Sequence, residues 1–413
     1  MDLSFPADTD CLRLCDIVQF HSPISGGIRR YVGDKARFFA KRDNLQHAVL
    51  IPGPVDRTWS EGNTTWVQMA SPRMPGSRSY RLFLSKSGMH RFLETFNPHL
   101  IEVADPYQST WMALSWARPR KVPILLFYHS DYPRAWHRTL SKFVGRRSAS
   151  LAQQLTGWYL RKLFRACDGV LVSTRKYERL WRENTDTPVA RIPFGFDTTA
   201  FHPHPDQGAL RSQLPHGRRN KPVLLFAGRL AREKRIGEVL EAVSRLQNKG
   251  TDAELVIVGD GEDRERLQER ARELEVSVTW LPFTESRKTM AAYYAEANVL
   301  VHAGMHETFG YSVLEAAACG TPSVSFNGSG LEEAAACHPL AKIVLRRHPA
   351  EMAAAIENLL STPNPLRLRW EVHEILLKER SLERAGEAWL SACRRWIPIP
   401  KEPIQPWRER RLS

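Results

Sequence analysis

Short apolar runs alternate with helical patterns along this chain, and the alternation restricts its fold more than any other feature. Runs such as Leu12–Phe20, Val122–Tyr128 and Val223–Gly228 have the length and composition of buried strands. Strands separated by helices favour parallel sheets that helices cover on both faces. Because 413 residues are too many for one ordinary domain, we predict an α/β protein with two Rossmann-like, doubly wound parallel-sheet domains. Other predicted strands are His47–Pro52, Thr65–Met69, Leu100–Ala104, Gly169–Ser173 and Ala297–His302, and predicted helices include Arg78–Phe96 and Thr110–Ala117.

Composition limits the partners and the compartment. The net charge is +14, and most of the excess lies in residues 1–210. Such a field attracts nucleic acid, anionic lipid or phosphorylated substrates without choosing among them. The sequence has no signature of a nucleic-acid-binding module, so we expect no nucleic-acid partner. It also has no Walker loop and no dinucleotide fingerprint. No secretion signal or apolar run of membrane-spanning length is found, and a cytoplasmic protein with free thiols at its six cysteines is expected.

The segment His306–Pro322 is the first candidate for chemistry. It follows the predicted strand Ala297–His302 and continues as a helix of small residues over about 309–319. Glu315 falls inside this apolar helix, where an unpaired charge is costly, so it requires a partner from protein or ligand. A buried helix with one salt-bridged glutamate is the alternative interpretation.

The start of this helix suits an anion. Thr308 is placed to cap the helix, and the N–H groups near Phe309, Gly310 and Tyr311 would then point at whatever lies in front of it. Backbone N–H groups at a helix N-terminus favour a phosphate.

Two cations reach the same sheet edge. A predicted strand ending at Gly228 delivers Arg229 and, one loop later, Lys234 to the edge that carries Glu307. Two flexible cations beside a helix N-terminus can clamp a diphosphate. Ordinary solvated side chains are the alternative.

In the first half of the chain, two further features lie where ligands bind parallel sheets. Gly26 and Gly27 connect a strand to a helix and let backbone N–H groups approach a ligand. His129 leaves a buried strand at the carboxyl end, with Asp131 as its companion.

Residues 134–165 are strongly basic and interleaved with aromatic and apolar side chains. A basic helix pair of this kind is typical of an anionic bilayer surface, which would place the protein on the inner face of the cytoplasmic membrane. Two ordinary helices with solvated arginines are the equal alternative.

These motifs, taken together, resemble the retaining glycosyltransferases of family 4 (group 1), which have the GT-B fold with two domains facing across a cleft. The resemblance spans nearly the whole chain. In order, its matching elements are Gly26-Gly27, His129, Gly195-Phe-Asp197, Gly228-Arg-Leu230 with Lys234, and the glutamates Glu307 and Glu315.

The resemblance implies the site residues of a nucleotide-sugar donor (UDP-, GDP- or ADP-linked). Arg229, Lys234 and the amides of Phe309, Gly310 and Tyr311 would hold the diphosphate, with Gly26, Gly27, Gly228 and Thr308 nearby. Glu315 would accept ribose hydroxyls, Pro282 and Phe283 would border the nucleobase, and Glu307 and His129 would contact the hexose. It also implies retention of anomeric configuration, no metal or other cofactor, and a hydroxyl acceptor, either a lipid or a polysaccharide precursor.

The domains are predicted at 1–203 and 221–380. Residues 204–220 are rich in proline, glycine and charge and are predicted to form the linker. The resemblance implies a cross-over helix at the start of 381–413, followed by a basic, proline-rich tail. Two other activities are compatible with these motifs. One is a GT-B-fold nucleotide-sugar epimerase or hydrolase, and the other is a non-catalytic, membrane-docking protein that binds sugar nucleotides.

Overall fold

The computed structural model describes residues 11–22, 26–75, 77, 80–134, 154–203, 208–304, 307–328 and 330–397. The chain divides into two compact units, one formed by Met1–Pro193 with Ala385–Ser413 and the other by Phe194–Arg384. Each unit contains one largely parallel sheet with helices. The predicted α/β class with two doubly wound sheets is therefore confirmed.

The sheet of the first unit has the order β3-β4-β2-β1-β5-β6-β7-β8 among the described residues. All of its neighbours pair in parallel except β3 and β4, which are antiparallel. The exposed edge strand β3 was not predicted, because its polar sequence lacks an apolar pattern. The strands are β1 (Leu12–Ile17), β2 (Leu45–Gly53), β3 (Arg57–Glu61), β4 (Thr64–Ala70), β5 (Leu100–Val103), β6 (Ile124–Phe127), β7 (Gly169–Val172) and β8 (Val189–Arg191).

Helices flank this sheet. The prediction of a helix over Arg78–Phe96 was wrong for its described residues 80–85, because Ser85 caps the helix by accepting a hydrogen bond from Gly88 N–H (3.1 Å) and Arg81 forms a β-bridge with Arg73; residues 78 and 79 lie outside the described residues. The helices are α1 (Gly27–Phe39), α2 (Lys86–Phe96), α3 (Gln108–Arg120), α4 (154–164), α5 (Arg175–Arg182) and, from Ala385 onward, α13 (Leu382–Cys393).

The sheet of the second unit is entirely parallel, with the order β11-β10-β9-β12-β13-β14 in the described chain. Its core is aliphatic, with Leu224, Ile257 and Val301 at 0% exposure. The strands are β9 (Val223–Ala227), β10 (Glu254–Val258), β11 (Val278–Leu281), β12 (Val299–His302), β13 (Ser323–Phe326) and β14 (Lys342–Val344). The helices are α6 (Ile236–Asn248), α7 (Arg264–Glu273), α8 (Arg287–Glu296), α9 (Tyr311–Ala318), α10 (Leu331–Ala335), α11 (Pro349–Ser361) and α12 (Leu366–Arg380).

The described part of the predicted linker packs on the second unit. Leu210 and Leu214 are buried, and Glu296 accepts hydrogen bonds from the N–H groups of Leu210 and Arg211 (3.1 Å each). Asp197 forms an ion pair with Arg287 at 2.9 Å. The observed division at Pro193 therefore precedes the predicted boundary at 203, since isolated apolar residues among polar ones anchor this segment.

A buried lysine organises the first unit. The Lys35 ammonium lies 2.6 Å from Asp16 Oδ1 and 2.8 Å from Glu102 Oε2, and its side chain is 4% exposed. Burial alone would lower the pKa of Lys35, but the two carboxylates outweigh it and raise that pKa. Asp16 also meets His47 Nε2 at 3.0 Å. The ion pairs join α1 to β1 and β5, and the contact of His47 with Asp16 joins β2 to the same network.

The last helix, α13, completes this network. Trp389 donates its indole N–H to Glu102 Oε2 (2.7 Å), and its ring lies 4.4 Å from the Lys35 ammonium. A Cβ on Gly386 would lie 2.3 Å from the ring of Phe38, so glycine permits the close approach of α13 to α1. The final helix is thus an integral part of the first unit.

Replacing Lys35 is expected to destabilise the first unit. Lys35→Met leaves two buried carboxylates without their shared cation, which should cost about 3 to 5 kcal/mol of unfolding free energy. Hydrogen exchange of β1 and α13 amides, measured in native conditions, would report that loss. The control is Asp186→Ala, which removes an exposed 3.5 Å pair with Arg165 and should cost under about 1 kcal/mol. Equal, small losses in both variants would contradict a structural role for the buried charge.

Candidate active site

The carboxyl edge of the second sheet gathers most of the predicted residues. Glycine backbones fix its first loop, because a Cβ on Gly259 would lie 2.0 Å from the carbonyl oxygen of Gly228, and one on Gly261 would lie 2.3 Å from that of Leu230. Gly228 itself has φ +153° and donates its N–H to Val258 (3.0 Å). The loops after β9 and β10 therefore pack backbone to backbone. Arg229 follows Gly228 directly, so this packing fixes the position of its backbone.

Lys234 and Glu307 are brought together in this edge. The lysine ammonium donates to Oε1 of Glu307, and both side chains are partly exposed, at 18% and 21%. Burial alone would raise the pKa of Glu307, but the charge of Lys234 outweighs it, and the pKa falls to about 2. Glu307 is therefore a carboxylate at neutral pH.

Arg229 is paired as well, but not with Glu307. Its guanidinium donates to Glu233, four residues further along the chain. The sequence analysis missed Glu233, since glutamates in charged loops are usually solvated. Both cations of the predicted clamp thus face carboxylates in this structure.

The start of α9 differs from the prediction. The N-cap is Gly310, with φ +99° and no side-chain cap, and the helix begins at Tyr311 rather than Phe309. The predicted capping role of Thr308 is therefore wrong, because the glycine makes the turn two residues later. The N–H groups of Tyr311 and Ser312 are those of the first helical turn.

Aromatic and glycine contacts hold this turn in place. Tyr311 stacks on Phe194, with ring centroids 4.8 Å apart, and Phe309 meets the same ring at 5.0 Å. Gly330 donates its N–H to the Glu307 carbonyl (2.6 Å). One turn of α9 further, Glu315 is buried at 7% exposure, as its position in the apolar helix predicted.

His302 is a residue that the sequence analysis counted only as part of a strand. It ends β12 with 3% exposure, and its Nε2 lies 3.8 Å from Glu307 Oε1. Burial, the largest effect, lowers the pKa of His302 to about 4. A histidine at the end of a buried strand, five residues before the glutamate, was the available signal.

The remaining candidates of this unit follow β11. Pro282 comes directly after the strand, and Phe283 is half exposed. No contact joins them to Arg229, Lys234 or Glu307 among the described residues, so their place beside a nucleobase stays a prediction.

The other predicted residues belong to the first unit. Gly26 caps α1 and Gly27 begins it, with open space around a Cβ on Gly26. His129 follows β6, stacks on Phe127 at 4.2 Å and meets the ring of Tyr31 from α1 at 5.0 Å. Burial lowers the pKa of His129 to about 3, so its ring is neutral.

Asp131 lies 3.4 Å from the Arg134 guanidinium and accepts a hydrogen bond from Tyr177 at 3.4 Å. Of the basic stretch 134–165, residues 135–153 lie outside the described residues. No helix that the structure describes is both long and apolar enough to cross a membrane.

Two largely parallel-sheet units, the second with cations and carboxylates at its carboxyl edge, agree with the GT-B class that the family resemblance implies. Residues 25–200 match the family "Glycosyltransferase Family 4", and residues 212–372 match "Glycosyl transferases group 1". The chain belongs to the family 4, group 1 glycosyltransferases. It is an enzyme that uses a nucleotide sugar.

Similar proteins include mannosyltransferases. A GDP-mannose-dependent alpha-(1-6)-phosphatidylinositol dimannoside mannosyltransferase of Mycobacterium tuberculosis is 28% identical over 87% of this chain and 90% of that protein. A GDP-mannose-dependent alpha-mannosyltransferase of Mycolicibacterium smegmatis is 31% identical over 64% of this chain and 65% of that protein.

Solved structures support the fold. Sucrose-phosphate synthase from Thermosynechococcus elongatus has a TM-score of 0.76 at 19% identity. The match covers 93% of this chain and 98% of the synthase chain. Anabaena HepE, solved with UDP and glucose, has a TM-score of 0.69 at 14% identity, covering 93% of this chain and 100% of its own. The predicted GT-B fold is confirmed.

Lys234 is expected to control the ionisation of Glu307. The wild-type carboxyl should titrate near pH 2, below its ordinary value of 4.5, and in Lys234→Met its pKa should rise, because burial then acts with less opposition. The interaction of Lys234 with the Glu307 carboxylate stabilises the fold fully above about pH 4.5. This stabilisation is lost as the pH falls toward 2 and the carboxylate is protonated.

Titration by carbon-13 NMR of glutamate-labelled protein would measure this shift. Lys221→Met, which removes the 2.7 Å pair with Asp252, is the matched control and should leave Glu307 unchanged. A wild-type midpoint near 4.5 would contradict the ion pair.

Proposed function

We propose that the protein is a retaining, metal-independent hexosyltransferase that moves mannose from GDP-mannose to a hydroxyl of a lipid-linked acceptor. The Lys234–Glu307 pair beside Arg229, at the carboxyl edge of a parallel sheet, carries the proposal. The donor and the acceptor class follow from the similar mannosyltransferases, one of which is named for GDP-mannose and a phosphatidylinositol dimannoside.

In this proposal the diphosphate lies at the start of α9. Among the residues that the structure describes, Arg229 pairs with Glu233 and Lys234 with Glu307. A guanidinium carries five N–H groups and an ammonium three, so each cation retains donors for phosphate oxygens. The first-turn N–H groups of α9 add further donors.

Glu307 accepts hydrogen bonds from hydroxyls of the hexose, and Glu315 accepts them from the ribose. The low pKa of Glu307 supports this role, since a carboxylate that stays ionised accepts from hydroxyls throughout the physiological range.

Transfer then proceeds on one face of the sugar. The bond between the anomeric carbon and the β-phosphate oxygen breaks as the acceptor oxygen forms its bond on the same face. The acceptor proton passes to the leaving phosphate. Arg229 and Lys234 stabilise the negative charge that develops on this phosphate, the role that a metal ion has in other transferases. His129 beside the hexose remains a prediction from the family resemblance.

Removing either cation is expected to slow transfer. Arg229→Ala and Lys234→Ala should each lower kcat by about 10²- to 10³-fold, because each loses one stabilising charge on the leaving group. Mannose transfer from GDP-mannose to a mannosylated phosphatidylinositol would be measured in EDTA, with proton NMR of the product to determine its anomeric configuration. Calorimetry against GDP, UDP and ADP would measure donor binding in the same variants.

The matched control is Arg270→Ala, a residue of α7 paired with Glu241 and Glu273, which should leave kcat and GDP binding unchanged. Wild-type kcat in Arg229→Ala would overturn the clamp, and loss of transfer in EDTA would overturn metal independence. An inverted product would overturn retention. Release of free or epimerised sugar without transfer would favour an epimerase or hydrolase, and donor binding without reaction would favour a binding protein.

An anionic membrane surface is the proposed second partner. On α4, Leu155 and Trp158 are both 57% exposed and are three residues apart, which places them on one helix face. The Lys162 ammonium lies 5.5 Å from the Trp158 ring, Arg161 lies on the same helix, and Arg165 follows directly after its end. Exposed apolar side chains beside cations suit the interface of an anionic bilayer.

A paired substitution tests this surface. Leu155→Ser with Trp158→Ser should weaken binding to vesicles of phosphatidylglycerol and phosphatidylcholine by about tenfold or more, since two apolar side chains are no longer buried in lipid. Co-sedimentation at several salt concentrations would measure it. Leu180→Ser, at an exposed position of α5, is the control. Equal binding by all three proteins, or equal binding to neutral vesicles, would contradict the proposal.

A further inference from the structure

The ring of His302 is held by a backbone hydrogen bond at one nitrogen. Gly304 donates its N–H to Nδ1 of His302 at 3.0 Å, across one intervening residue. The ring is buried next to Phe226, with ring centroids 5.9 Å apart. Its position at the end of β12 is thus fixed by the sheet and by the loop that follows.

This hydrogen bond selects the tautomer. Burial keeps the ring neutral, and a neutral imidazole carries one proton. Because Nδ1 accepts from Gly304, the proton lies on Nε2. Nε2 lies 3.8 Å from Oε1 of Glu307, which is longer than a hydrogen bond, and Lys234 already donates to this oxygen.

Gly304 lies between the two side chains. A Cβ at this position would lie 2.6 Å from Cε1 of His302 and 3.1 Å from Oε1 of Glu307. The absence of a side chain is therefore what allows the imidazole and the carboxylate to approach each other. The spacing is a second observation, independent of the hydrogen bond.

We infer that His302 is a positioning residue that, together with Lys234, fixes Oε1 of Glu307 and thereby directs Oε2 toward the sugar. The inference rests on the proposed function, because it requires Glu307 to contact the hexose. Within the described chain, no hydrogen bond to Oε2 is seen, whereas Oε1 is approached by both groups. His302 thus acts through Glu307 and does not touch the donor.

The chemistry of amide side chains provides the test. Asn places an oxygen near the position of Nδ1, so His302→Asn keeps an acceptor for Gly304 and loses the N–H toward Glu307. Gln places an N–H near the position of Nε2, so His302→Gln restores that donor. In full-length protein, His302→Asn should lower kcat about 10- to 100-fold, with the Kd for GDP unchanged, and His302→Gln should recover most of the loss.

Two further variants distinguish a positioning role of His302 from a purely structural one. His338 makes the same local bond, accepting from Leu340 N–H at Nδ1 (3.2 Å), is 2% exposed and has its Nε2 3.3 Å from the Gly320 carbonyl. His338→Asn is therefore the control and should keep wild-type kcat. Glu307→Gln is the reference and should lose kcat at least as strongly as His302→Asn.

The measured kcat and Kd values decide between these two roles of His302. Wild-type kcat in His302→Asn, with Glu307→Gln impaired, would overturn the inference and leave the proposed function intact. Wild-type kcat in Glu307→Gln would overturn the proposed role of Glu307 itself. If His302→Asn and His302→Gln both lost GDP binding as well as kcat, His302 would have only a structural role. Nitrogen-15 NMR of histidine-labelled wild type, which needs no activity, should show the Nε2–H tautomer, and an Nδ1–H tautomer would overturn the inference.

Discussion

A lysine ammonium enclosed away from water determines how the first unit is assembled. Desolvating the charge of Lys35 would be costly, and the cost is offset only because Asp16 and Glu102 lie within 2.6 and 2.8 Å. Each partner comes from a different strand, and Trp389 adds an indole from the last helix. Removing any one element therefore leaves a buried charge without its partners.

The second unit contains a lysine–carboxylate pair of a different kind. Lys234 and Glu307 are 18% and 21% exposed, so this pair remains within reach of a ligand. The pair of Lys35 is enclosed and joins α1 to the strands of the first unit. The degree of burial, rather than the identity of the residues, separates the structural pair from the one at the proposed site.

The sequence was sufficient for the fold class because buried parallel strands are continuous apolar runs, such as Val223–Ala227. It also placed Arg229, Lys234 and Glu307 at one edge, since that follows from strand ends and the family motifs. It could not reveal β3, whose exposed polar residues carry no pattern. The N-cap of α9 was misassigned because Thr308 and Gly310 both suit that position, and only the backbone conformation decides between them.

Two side-chain contacts also lie outside any periodic pattern, one between residues five apart and one between opposite ends of the chain. The contact of His302 with Glu307 depends on Gly304 having no side chain, and the network of Lys35 joins residues from opposite ends of the chain. Neither produces a periodic signal. The packing of residues 208–220 on the second unit was missed for a related reason, because two leucines among polar residues have the same pattern whether they are buried or exposed.

The division of the first unit between the two ends of the chain has a consequence for biosynthesis. The ribosome makes Lys35 early and Trp389 only after the whole of Phe194–Arg384. The contiguous second unit can form as soon as it emerges, whereas the first must wait with its charged centre and the rings of Phe38 and Phe39 uncovered. A chain released before α13 is made can never close that unit, so its incomplete products present a permanently open core to chaperones and proteases.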